Sequence, residues 1–156
     1  MLLIQKSIFA DYHQFYLADD AAEPDAAALV TPEALAARLL AWPSGLAMFT
    51  ARNMEVEVSV HLHGTRPALD LGGADHAVEA GFSAPSGRLA VAGCTDYWPD
   101  AARVDVPAGP MSALVVFSGL GTVSADGLDG DDCYAVHLWP GAAQGVRVVK
   151  AFDAPA

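Results

Sequence analysis

The chain is short of basic residues. Lysine and arginine together number 8, against 19 aspartates and glutamates, and the formal net charge is −11. A surface of that sign repels phosphate backbones, which argues against direct nucleic-acid binding. It attracts a basic partner protein instead, or at the least keeps an apolar-rich chain in solution. Cysteine is scarce too. Cys94 and Cys133 fit no C-x-x-C or zinc-ligand spacing, and both read as reduced thiols on half-buried strands. Long hydrophobic runs are missing. The opening "MLLIQKSIFADYHQF" offers only a short apolar run before Gln5 and Lys6, too little for a signal-peptide core. No window approaches the ~18 apolar residues of a membrane span. These absences predict a cytoplasmic protein with no membrane attachment.

Signatures of chemistry are equally sparse. There is no G-x-S-x-G elbow, and neither cysteine has a basic sequence neighbour to lower its pKa. The glycines of "SGLG" at 118–121 and "LGG" at 71–73 do not make phosphate loops. Repeats, low-complexity tracts and long linkers are absent, so a single β-sandwich domain is expected over residues 1–156. No catalytic residue and no cofactor is assigned.

What is present is β periodicity in a chain that is 53% hydrophobic and only 17% charged, the balance of a globular core. Residues 7–17, "SIFADYHQFYL", read as one strand rich in β-forming side chains. After the polar loop "ADDAAEPDAA", the segment "TPEALAARLLAW" gives the one helix signal. Thr31 can cap it, Pro32 suits its first turn, and Leu35, Leu39 and Trp42 fall on one stripe. Beyond it the chain alternates strand and turn at the 8–12 residue spacing of sandwiches and barrels. Arg52-Asn53 marks a turn, and "ALVVF" reads as a central strand covered on both faces. Trp98-Pro99 and Trp139-Pro140 look like strand ends. The predicted fold is mostly β: an antiparallel β-sandwich with one short α-helix after the first strand.

Two features are candidates for function. In "EVEVSVHLHG" the residues Met54, Val56, Val58, Val60 and Leu62 alternate with Glu55, Glu57, Ser59, His61 and His63. The histidines therefore share a strand face, about 7 Å apart, close enough to converge on one metal ion. A third ligand has to come from a neighbouring strand, and His137 and His13 are the available donors. Cupins, metal-binding jelly rolls, also carry His-x-His on a strand, but "HLHGTRPALDLGG" lacks the glutamate that follows it there. The second feature is acidic. Asp126, Asp129, Asp131 and Asp132 crowd one turn, and Asp19, Asp20, Glu23 and Asp25 crowd another. Neither turn contains a base, and emergence at one end of the sandwich would make them a single negative surface.

Several stretches resemble the competence protein J family, inhibitors of the DNA-entry nuclease. "DYHQFYL" looks like that family's opening strand, and "TPEALAARLLAW" like its short acidic helix before "GLAMFTARNMEVEVSVHL". "ARVDVPAGPMSALVVFSGLG" and "DDCYAVHLWPG" resemble its later strands. Tyr12-His13-Gln14-Phe15 and Arg52-Asn53 are the near-literal parts. The resemblance implies a small β protein without chemistry of its own. Its implied partner is a metal-dependent nuclease with a basic groove. Two other readings stand beside a non-enzymatic binding module. One is a cupin-like metal enzyme using His61 and His63. The other is a domain that works by forming homo-oligomers.

Overall fold

The computed structural model describes residues 1–21, 30–141 and 145–152. Eleven strands and one α-helix follow one another along the described chain. They are β1 (Leu2–Phe9), β2 (Gln14–Asp19), α1 (Pro32–Ala37), β3 (Leu39–Trp42), β4 (Gly45–Phe49), β5 (Glu55–Leu62) and β6 (His76–Ala84). Then come β7 (Arg88–Gly93), β8 (Ala102–Asp105), β9 (Gly109–Ser118), β10 (Cys133–Pro140) and β11 (Arg147–Lys150). They form a six-stranded sheet in the order β1-β5-β10-β9-β6-β11 and a five-stranded sheet in the order β3-β4-β2-β7-β8. Alternate residues of both sheets meet in one core. Phe15, Leu17, Leu46, Met48, Leu89 and Val91 pack against Val56, Val58, Val60, Val115, Phe117 and Leu138. This is the predicted β-sandwich. Among the described residues every strand pairing is antiparallel except β5 with β10, which run parallel with His61 beside His137.

The stretch predicted as one strand over 7–17 is two. Ile8 and Phe15 must both enter the core, but from opposite sheets, so the chain has to cross between them. It does so through a 3₁₀ turn at Asp11–His13, with Ala10 buried at the corner. Tyr12 and His13 sit at φ 57° and 60°, the left-handed region that non-glycine residues rarely occupy. The helix consequently follows the second strand, not the first.

The helix is also shorter than its sequence signal. Thr31 Oγ1 accepts the Ala34 N–H at 3.1 Å and Pro32 opens the first turn, as expected. Arg38, at φ 62°, then closes it by donating its N–H back to the last turn. Leu39 to Trp42 leave as β3, which pairs with β4 and buries Leu39 in the core. Leu35, on the predicted stripe, is exposed. The helix still covers a face, because Ala34 packs with Tyr16, Leu40, Ala47 and Phe49 on the outside of the five-stranded sheet.

The sheets are stitched at close approaches. A Cβ on Gly93 would lie 2.1 Å from the carbonyl oxygen of Phe9, where β7 of one sheet passes the end of β1 of the other. His76 is 2% exposed and belongs to both its neighbours. Its Nε2–H donates to Ala37 O at 2.8 Å, and its Nδ1 accepts the Phe152 N–H at 3.2 Å, an arrangement that requires the neutral ring. Burial pushes its pKa down, outweighing the upward pull of the Ala37 hydrogen bond.

Two expected outcomes follow from these contacts. Gly93→Ala cannot be absorbed by a flexible side chain, because the obstacle is backbone, and it should cost about 3 kcal/mol in urea unfolding. A loss of less than half of that would refute the close approach. The depressed pKa of His76 means that the unfolded chain takes up its proton first as pH falls. Stability is therefore complete above the ordinary histidine pKa of about 6.5 and declines below it. Urea midpoints measured between neutrality and the carboxylate range should fall; a flat profile contradicts the neutral buried ring.

Candidate functional site

The two acidic turns lie at opposite ends of the sandwich. Asp19 closes β2 beside Leu89, with its N–H on Ser44 O at 2.8 Å, while the other end of β2 meets Phe49 and Gly93. The Asp126–Asp132 turn belongs to that second end, where Arg52 reaches Asp132 and Thr50 N–H meets His13 O at 2.8 Å. The length of β2, about 17 Å at 3.4 Å per residue, separates them. Asp19 and Asp20 therefore do not share one surface with the later aspartates. Glu23 and Asp25 lie outside the described residues.

Two of the predicted surface aspartates are interior groups. Asp19 is 1% exposed; its carboxylate accepts from Ala21 N–H, Ser86 N–H and Ser86 Oγ–H at 2.8–3.0 Å. Burial pushes its pKa up, but those three hydrogen bonds win and hold it below the usual range. Asp20 is half-buried and engaged by Arg103 Nε at 2.6 Å. Asp132 has no exposed side-chain surface. It takes the Arg52 guanidinium on one oxygen and the Tyr134 hydroxyl on the other at 2.5 Å. Tyr134 accepts Ala51 N–H at 2.8 Å. Its own pKa is driven far up, first by burial and then by that carboxylate. Neither Asp19 nor Asp132 can touch a partner, because each is consumed in holding the chain together.

The remaining aspartates of the long turn do face solvent, and the fold adds others to them. Asp126, Asp129 and Asp131 are exposed on the segment between β9 and β10. Asp126 is fixed by Ser124 Oγ–H at 2.5 Å and Leu128 N–H at 3.0 Å, hydrogen bonds that hold its pKa below the ordinary value. Around them the strand ends bring Asp11, Glu55, Glu57, Asp75 and Asp96, all exposed or half-exposed. Asp75 is drawn to the long turn by Leu120 N–H at 2.8 Å, and Glu57 stands beside Cys133 in the parallel pair. Among the described residues, the connecting segments at this end carry two guanidiniums: Arg52, already closed on Asp132, and Arg38, at the α1–β3 junction beside Phe49, which lies over the Phe152 ring. Apolar side chains stand among these charges. Tyr12 and Tyr97 are 67% and 70% exposed, and Phe9, Met54 and Leu128 are exposed as well. Tyr12 is presented on the strained Asp11–His13 corner. Sequence spacing could not gather these groups, because they come from five separate connections. The sequence singled out Asp126, Asp129 and Asp131 by their clustering and Tyr12 by the near-literal 12–15 stretch.

The histidine pair lies at the far end of β5. The third partner is His137, not His13, which accompanies Thr50 at the acidic end. His63 Nε2 and His137 Nδ1 are 2.9 Å apart, and the His61 and His137 rings stack at 4.5 Å. His61 Nε2 rests 3.0 Å from Ser59 Oγ. Burial, followed by the neighbouring His61 and His63, pushes the His137 pKa down to about 4. No group of three histidine, cysteine or acidic side chains among the described residues converges on a metal position as it stands. Both cysteines are free thiols. Cys94 is half-buried beyond β7, whereas Cys133 is exposed rather than half-buried. Burial raises the Cys133 pKa first, and Asp132, Glu57 and Asp75 raise it further, the opposite of nucleophile activation. Trp98 opens a 3₁₀ turn under the Arg103 guanidinium, and Trp139 is packed against Ala77 and Leu114. No helix among the described residues is long and apolar enough to cross a membrane.

The interior and surface aspartates should separate cleanly by mutation. Asp132→Ala strands a buried guanidinium and should cost about 3–5 kcal/mol, while Asp129→Asn should stay within about 0.5 kcal/mol. Equal losses in chemical denaturation would mean that the carboxylates are wrongly sorted.

No protein-family model and no curated protein matches the sequence. Solved structures do match. The chain is similar to ComJ from Bacillus subtilis, inhibitor of the DNA-degrading activity of NucA, with a TM-score of 0.66 and 15% identity over 90% of this chain and 98% of that one. It is also similar to the crocagin biosynthetic gene J product, with a TM-score of 0.56 and 19% identity over 90% and 97% of the two chains. The fold is ComJ-like.

Proposed function

We propose that the protein is a non-enzymatic binding module that occludes a basic partner protein with its acidic end, the partner being a nuclease. What carries this reading is the gathering of Asp11, Glu55, Glu57, Asp75, Asp96, Asp126, Asp129 and Asp131 at one end of the fold, where they outnumber two guanidiniums, Arg52 closed on Asp132 and Arg38 laid over the Phe152 ring. The exposed Tyr12 sits among them. An aromatic anchor inside a ring of like charge is a common interface composition: the ring steers encounter and the aromatic holds the complex. The nuclease class comes from the ComJ-like fold. The near-literal stretches 12–15 and 52–53 both border this end, one supplying the anchor and the other the guanidinium that fixes the long turn. Acidic groups suit a groove built to hold phosphates, and they disfavour direct nucleic-acid binding by the module itself.

The test is inhibition of DNA degradation by a NucA-type nuclease. Inhibition should weaken steeply with added salt. The triple variant Asp126→Asn, Asp129→Asn, Asp131→Asn should weaken it about tenfold, mostly by slower association. Tyr12→Ala should cost about 2 kcal/mol, near thirtyfold, mostly through faster dissociation. Salt-independent inhibition, or full inhibition by the triple variant, would sink the electrostatic account.

A further inference from the structure

We propose that His61, His63 and His137 form a binding site for a divalent transition metal of the zinc, nickel and copper class, separate from the acidic end. The parallel pairing of β5 with β10 is what creates it. Residues in register across a parallel pair point to the same face, so His137 stands directly beside His61, and His63 follows where β5 runs out. Three imidazoles are thereby drawn from two strands that are far apart in sequence. Glu55, at the start of β5, is about 20 Å from His61 at 3.3 Å per residue. A ligand at the histidines therefore does not touch the proposed inhibitory surface.

Two of the three donors are spaced close to what a metal requires. Two nitrogens bound to a tetrahedral zinc at 2.0–2.1 Å lie about 3.3 Å apart. His63 Nε2 and His137 Nδ1 are already 2.9 Å apart, so a small rotation admits the ion between them. One ring now donates its N–H to the other. Binding needs both lone pairs, so the donor ring shifts its proton to its other nitrogen, with no change of charge. His61 is stacked on His137 with its Nε2 held by Ser59 Oγ at 3.0 Å. With Nε2 on Ser59, Nδ1 is the nitrogen left to be the third donor, and the ring has to turn off His137 toward the other two to supply it. All-imidazole sites take zinc, nickel or copper rather than magnesium or calcium, which require oxygen.

The experiment uses the untagged protein and Zn²⁺ alone, followed by calorimetry and by thermal unfolding. Binding of one equivalent and a rise in Tm are expected. Affinity should fall by at least about tenfold in His63→Ala and in His137→Ala, and stay unchanged in His13→Ala at the other end of the fold. Co²⁺ in place of Zn²⁺ should give the visible absorption of a nitrogen-ligated tetrahedral site. Absence of stoichiometric uptake by the folded wild-type protein overturns the proposal. So does uptake retained by a folded His63→Ala/His137→Ala double variant, with circular dichroism checking the fold in each case. Nuclease inhibition in the same variants should be unchanged, so failure at the histidines is distinguishable from failure of the inhibitory surface.

Discussion

The carboxylate of Asp132, fully removed from water, is the constraint on which the acidic end depends. A buried charge is tolerated only when it is paired and hydrogen-bonded, and here Arg52 and Tyr134 each take one oxygen. Those two partners belong to different parts of the fold. Arg52 lies on the connection by which the chain passes from the five-stranded sheet into β5, and Tyr134 is the second residue of β10. The Tyr134 hydroxyl also receives Ala51 N–H, and its ring packs edge-on against Phe15 and Phe117 in the core. One carboxylate thus fastens a crossover, a strand start and the aromatic centre of the sandwich. It also anchors the C-terminal end of the turn that carries Asp126, Asp129 and Asp131.

Much of the fold was legible because burial imposes a period of two. The alternation from Met54 to His63 is strict, and β5 forms there with Val56, Val58 and Val60 in the core. The helix start was legible because capping is local: Thr31 and Pro32 act within one turn. Its end was not, since Leu35, Leu39 and Trp42 satisfy helical spacing as sequence but Leu39 belongs to a strand whose partner, β4, comes later in the chain. The break at Asp11–His13 was hidden for a similar reason. "FADYHQF" has no glycine or proline to mark a corner, and the corner is made by two residues in the left-handed region. Tertiary pairing overrode local preference at both places.

The candidate site was less legible than the fold, because charge counts do not report depth. Asp131 and Asp132 are sequence neighbours with the same side chain, yet one faces solvent and the other is sealed. A strand start reverses the facing of successive residues, and only the register of β10 says which of the pair is inside. The His61–His63 pair shows the converse. Its spacing was visible at once, but its third neighbour depended on a parallel pairing that an antiparallel expectation did not contain.

That parallel pair also bears on how the chain reaches its native state. β5 is flanked by β1 and β10, and no tight hairpin joins it to either, so Glu57 must find Cys133 across nearly half the sequence. The entropy of closing that loop is spent before the pairing returns any stability, which places this sheet among slow-folding topologies. β6 and β9 cannot close the core alone, since β10 joins β9 to β5 and completes the six-stranded layer. Synthesis from the N-terminus therefore leaves β5 with an unpaired inner edge until β10 has emerged, and the chain spends that interval dependent on whatever shields the edge from its neighbours.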